Sequence, residues 1–308
     1  MKRSYLGLPL ALLVLILGFG FTSEYFFSRD TFIAIANDIP PLLVMAVGMT
    51  FVLVIAGIDL SVGSVLALAG GLAAAAIESW GWGVPAAVAL GMVCGAVCGT
   101  ATGAVSVAWR VPSFIVSLGM LEIARGSAYL VTDSRTQYIG GAIQGLSAPL
   151  WLGISPAFVL AIVIVASSHI VLLRSVFGRY LIGIGTNEEA MRLAGVDPRP
   201  RKIIVFALMG MLAALAGLMQ ISRLEAADPN AGVGMELQVI AAVVIGGTSL
   251  MGGRGSVVNT FLGVLIVAVL EAGLAQVGAS EPTKRVITGC VIIAAVLLDV
   301  YRNRKQSG

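Results

Sequence analysis

The sequence is short of charge. Asp, Glu, Lys and Arg make up 11% of 308 residues, against about 25% in soluble domains. Hydrophobic residues reach 58%, and the mean hydropathy is +0.99. This excludes a soluble domain with one anchor and predicts an all-α polytopic membrane protein. Cysteine is scarce too: Cys94, Cys98 and Cys290. The first two fall four apart in an apolar stretch, and all three read as small packing residues. With His169 the sole histidine, there is no His/Cys cluster for a metal and no constellation for a nucleophilic triad. There is no G-x-x-x-x-G-K-[ST] motif and no Gly-Lys dipeptide, hence nothing to cradle ATP phosphates. These absences argue against an enzyme. A net charge of +3 is too small to suggest nucleic acid. No cleavable signal is expected, because the apolar run from about Leu8 to Phe27 is too long for one.

What is there is apolar length. A spanning helix needs roughly 20 mainly apolar residues. About ten candidates run near 8–27, 39–57, 62–78, 84–108, 112–131, 155–174, 202–222, 236–249, 256–277 and 284–301. The chain thus reads as a single transmembrane domain over 1–308. With both termini cytoplasmic, the inner loops carry most of the 19 basic residues. The outer face keeps only Arg29, Arg135, Arg223, Lys284 and Arg285, as the positive-inside rule requires. Trp80, Trp82, Trp109 and Trp151 all fall at span ends. The outer loops 132–154 and 223–235, with Asp133, Glu225, Asp228 and Glu236, form an acidic face where a soluble partner could land.

Gly91, Gly95, Gly99 and Gly103 recur every fourth residue, which leaves a bare groove for another helix. That predicts a helix packed inside the bundle, or else a glycine-lined pore. Glu122 and Arg125, three apart, are expected to pair. Glu271 and His169 stand near span ends. Intramembrane ionisable groups are functional suspects.

Two turns look alike, GIDLSVGS from Gly57 and GGTSLMGGRGS from Gly246. Both are placed on the cytoplasmic side, as a weak internal repeat. In the first, Asp59 or Ser61 can N-cap the following helix, and Gly57 and Gly63 let the backbone bend.

The longest polar interval, about 175–201, holds a fully punctuated short helix. Thr186 is a candidate N-cap and Glu189 completes a capping box. The helix runs from Asn187 to Ala194, Gly195 is placed to stop it, and Pro198 follows. Ala190, Leu193 and Ala194 form a small apolar face. A helix this short must dock on something, either the lipid surface or another protein.

Four stretches, GIDLSVGSVLALAG (57–70), VPSFIVSLGM (111–120), IGTNEEAMRLAGV (184–196) and VIGGTSLMGGRGSVVNTFLG (244–263), carry a resemblance. Together, in this order, they resemble the permease subunit of bacterial ribose-type ABC sugar importers, over nearly the whole chain. Ser117 departs from the pattern, standing where Thr is common. The resemblance implies a multi-pass subunit of the bacterial inner membrane, surrounded by lipid. It implies pairing with a second permease copy or paralogue, a cytoplasmic ABC ATPase that binds ATP and Mg, and a periplasmic sugar-binding protein. This chain itself would hold no cofactor. Gly185, Asn187, Ala190, Leu193, Ala194 and Gly195 match the family's coupling-helix motif, with Thr186 and Glu189 inside it. The family carries ribose, arabinose, xylose, galactosides and autoinducer-2. The leading expectation is a monosaccharide; a nucleoside or autoinducer-2-like solute is the alternative. A proton-driven transporter using Glu122 or Glu271 is the competing class.

Overall fold

The computed structural model describes residues 7–280, 282–291 and 293–294. The helices, in order, are α1 (Gly7–Thr22), α2 (Arg29–Asp38), α3 (Pro40–Val54), α4 (Val62–Glu78), α5 (Val84–Trp109) and α6 (Ser113–Val131). Then follow α7 (Pro156–Arg174), α8 (Val176–Thr186), α9 (Glu188–Leu193), α10 (Pro198–Leu224), α11 (Met235–Ile245) and α12 (Val257–Gln276). Two dipeptides, β1 (Gln137–Tyr138) and β2 (Ala226–Ala227), pair antiparallel at one end of the bundle, here the β end. Helix α9 marks the opposite end.

Among the described residues, five helices are long and apolar enough to cross a membrane: α5, α6, α7, α10 and α12. A sixth span results if α2 and α3, bent by 48°, count as one. The span expected at 39–57 coincides with α3, and the bend lies at its start, where Pro40 and Pro41 lack the N–H groups that would continue α2. Helix α11 has 11 residues and is about 16 Å long, against a hydrocarbon core of about 30 Å. The last expected span, 284–301, lies mostly outside the described residues.

The 27-residue α10 serves as a ruler for the rest. Gly57 packs on Phe206, Gly217 on Leu66, and Gly70 on Ile221. Phe206 lies eight residues into α10, or about 12 Å from its start at 1.5 Å per residue. The turn after α3 therefore climbs back along α10 before α4 begins, and α4 starts partway up the bundle. From the β end, the chain after β2 descends to meet it. A Cβ on Gly63 would run into the Gly232 carbonyl, so the two segments cross on glycine.

Helix α3 is buried along its whole length, with Thr50 and Thr260 of α12 joined by a buried 2.8 Å hydrogen bond. The glycine groove of α5 is filled by α10. A Cβ on Gly95 would meet the Gly210 carbonyl, and one on Gly99 the Phe206 carbonyl. The opposite face of α5, with Val93 and Val97, is exposed. The expected internal helix is thus a peripheral one with a single tightly packed face, and the glycines form a helix contact, not a pore. Trp80, Trp82 and Trp109 are exposed at helix ends, and the first two meet edge to face at 5.6 Å.

Candidate functional site

The segment 57–61 has no helical or strand partner, yet an apolar bundle tolerates no unpaired amides. Four of its N–H groups find partners as follows. Gly57 N donates to Val52 O at 2.9 Å. Ile58 N donates to Ser113 Oγ at 2.9 Å and Leu60 N to Ser117 Oγ at 3.0 Å. Ser61 N donates to Asp59 Oδ1 at 2.9 Å, and Ser61 Oγ to the same oxygen at 2.6 Å. Asp59 and Ser61 are both buried. The sequence expectation that Asp59 or Ser61 caps α4 is corrected. Neither side chain reaches the helix amides, because each is spent on the other. Gly57 and Gly63 also serve differently from expected: neither has a positive φ, and both are required for close approach instead. The first turn starts near the α9 end and rises into the bundle beside Phe206, so it is not confined to one face.

At the α9 end, Asn187 rather than Thr186 caps α9, its Oδ1 accepting Ala190 N at 2.9 Å. Thr186 closes α8, its hydroxyl donating to Ile182 O at 2.8 Å. The expected capping box is absent, and Glu189 lies 3.5 Å from Arg192 instead. The stop signal is in place. Gly195 has φ +80, and Gly195 N and Val196 N donate to the carbonyls of Arg192 and Met191, each at 2.9 Å. Ala190, Leu193 and Ala194 are exposed, Leu193 by 83%. Below that face, Met191 packs toward Gly183, and Glu188 pairs with Lys202 at the start of α10. Gly185 rests on the Val54 carbonyl where a Cβ would not fit, and Gly253 N donates to the same carbonyl at 2.9 Å. The second glycine-rich turn therefore meets the α8–α9 unit at the end of α3, just before the first turn begins.

At the β end the two long loops are zipped together. Beyond the β1–β2 pair, Ser222 Oγ donates to Ile143 O at 2.6 Å and Gln144 Nε2 to Glu225 Oε1 at 2.8 Å. Glu236 leaves this face and turns inward beside Gly63, so the acidic surface is smaller than expected. Arg125 donates to the carbonyls of Pro229 and Ala231, the latter at 2.8 Å. Glu122 is exposed, and no ion pair joins it to Arg125. An unforeseen cavity of about 1090 Å³ opens among α2, α10, α11, α12 and residues 284–289. No sequence signal pointed to it, because its polar side chains lie on five separate segments. The roles of Ser113 and Ser117 were also missed, although their i, i+4 spacing inside a recognised motif was visible.

The arrangement is that of a polytopic helical membrane protein with a structured corner at one end and a polar cavity at the other. Residues 31–296 match the family described as branched-chain amino acid transport system / permease component. The ribose import permease protein RbsC of Escherichia coli K12 is 40% identical over 306 residues, covering 96% of this chain and 93% of that protein. The L-arabinose ABC transporter permease protein AraH of Azospirillum brasilense is 33% identical over 85% of this chain and 77% of that one. The autoinducer 2 import system permease protein LsrC of Photorhabdus luminescens is 31% identical over 94% and 88%. No solved structure matches the chain. The chain belongs to the family of permease subunits of ribose-type bacterial ABC importers.

Proposed function

We propose that this chain is the transmembrane permease of an ATP-binding-cassette importer in the bacterial inner membrane, passing a monosaccharide inward. Two permease copies, or this chain with a paralogue, would sit in the lipid with about ten crossings each and both termini in the cytoplasm. The α9 end faces the cytoplasm in this reading. A separate ATPase binds ATP and Mg there, and a periplasmic sugar-binding protein docks on the zipped loops of the β end. The observation that carries the reading is the exposed small face of Ala190, Leu193 and Ala194 on a helix tied to α10 through Glu188–Lys202 and to α3 through Gly185. A push on that face acts on two of the most deeply packed helices. The mechanism follows from this linkage: closure of the ATPase displaces α9, and α3 and α10 tilt to pass the solute.

The experiment is uptake of labelled ribose, arabinose, xylose and galactose by cells expressing the permease with its ATPase and binding protein. The reading expects uptake of at least one sugar that vanadate blocks and an uncoupler leaves intact. Uptake that persists without the ATPase and collapses with an uncoupler supports the proton-driven class instead.

A further inference from the structure

We infer that the contact between Gly63 and Gly232 is a gate that closes the solute path through the permease, and that Arg125 and Glu236 are the positioning residues that hold it shut. This deepens the proposed function and rests on it.

Two helices begin near this contact and not at an end of the bundle. Helix α4 starts at Val62 and α11 at Met235, and the loop 228–234 crosses the start of α4. A Cβ on Gly63 would strike the Gly232 carbonyl, and one on Gly232 would strike the Gly63 carbonyl. Backbone lies on backbone there, with no room for a solute. On one side of the contact is the cavity of about 1090 Å³, whose lining includes Val233 and Gly234. On the other side Gly63 is buried, and the polar segment 57–61 leads toward the α9 end. Discontinuous helices meeting inside a transporter mark the solute path, because irregular backbone is tolerated at that depth only where it is buried in protein or lines a cavity.

Two glycines bury little apolar surface, so this contact has little adhesion of its own. It is held from both flanks by polar side chains. From α6, Arg125 donates to the carbonyls of Pro229 and Ala231. Tyr129, one turn on, donates to Asn230 Oδ1 at 2.5 Å. From α11, Glu236 Oε1 accepts Gly234 N at 3.2 Å. Its Oε2 stands 2.8 Å from where a Cβ on Gly63 would be, beside the first turn of α4. That turn has no side-chain cap, and its free amides and dipole favour a carboxylate. Glu236 and Arg125 also attract each other electrostatically. Charges inside a bundle are expensive, yet these two are both committed to the one loop whose movement would open the contact. Such ties can break and re-form without unpacking a hydrophobic core, as a gate requires.

The test uses the complete complex in proteoliposomes loaded with labelled ribose, without ATP or binding protein. The wild-type complex should retain the sugar. Arg125→Ala and Glu236→Ala should each release it about tenfold faster or more per assembled complex, the shift expected when a closed population loses a charged hydrogen bond. Glu236→Gln keeps an acceptor for Gly234 N and should leak faster than wild type but more slowly than Glu236→Ala. Glu122→Ala, exposed on the same helix as Arg125, should stay tight. A merely structural role predicts less assembled complex and no leak from what remains, and that result overturns the inference. So do Ala variants as tight as wild type, and so does a Glu122→Ala complex that leaks as much as Arg125→Ala. Where neither Ala variant assembles, Glu236→Gln decides, and retention equal to wild type overturns the inference. ATP-driven uptake is measured alongside. A wild-type complex that imports none of ribose, arabinose, xylose and galactose contradicts the transport reading, and the gate falls with it. Wild-type import combined with tight variants overturns the gate alone.

Discussion

The hydroxyl of Ser117 accepts the amide of Leu60 at 3.0 Å. One turn earlier on α6, Ser113 does the same for Ile58 at 2.9 Å. Two of the sequence motifs, 57–70 and 111–120, thus meet physically: one breaks the helix and the other supplies the hydrogen bonds that the break leaves open. A Thr hydroxyl at 117 could accept the same bond, so the departure from the family pattern is chemically small. Ser117→Thr should leave transport and the complex's melting temperature near wild type. Ser117→Ala should cost about 1–3 kcal/mol, the penalty for an unpaired buried amide, read as a lower midpoint in thermal unfolding of the detergent-purified protein.

Asp59 acts through its oxygen acceptor, which holds Ser61 N and Ser61 Oγ together. An Asn at 59 keeps one such oxygen and an Ala keeps none. Asp59→Ala should lower transport more than membrane abundance, with Asp59→Asn recovering most of it. Equal transport by the two variants contradicts this role.

Gly95 and Gly210 each occupy a position where a Cβ would strike the other helix's backbone. Gly95→Val should destabilise by about 1–3 kcal/mol or more, as overpacking does, and reduce folded yield. Val97→Leu, on the exposed face of α5, should change the melting temperature little.

Gly253 combines φ +73 with the Val54 carbonyl contact. An Ala there adds about 1–2 kcal/mol of left-handed strain and crowds Thr186. Gly253→Ala should loosen the joint between α3 and the α8–α9 unit, leaving ATP hydrolysis with reduced uptake per ATP. The ratio of sugar imported to phosphate released measures this directly.

Much of this was legible in the sequence. The four-residue glycine spacing gave the α5 groove, since close helix approach has few other causes. Gly195 marked the end of α9 because a left-handed stop needs no side chain. The beginning of α9 was misplaced by one residue because Thr186 and Asn187 are both good caps, and only tertiary packing chooses between them. Hydropathy does not fix where a span stops: the expected span at 236–249 yields the 11-residue α11, because the glycine-rich turn that begins at Gly246 ends the helix. The cavity was invisible because Gln220, Gln238 and Glu271 are brought together only by the packing of α10, α11 and α12.

The central claim is that α9 transmits force from a partner ATPase, and retention of that ATPase by Ala190→Trp tests it most directly. Ala190 is exposed beside Leu193 and Ala194, outside the bundle, so the variant should fold and reach the membrane in normal amounts. The account predicts loss of co-purifying ATPase by about tenfold or more, the result of overpacking a modest interface, together with loss of binding-protein-stimulated ATP hydrolysis. Full ATPase retention with full sugar uptake would contradict it.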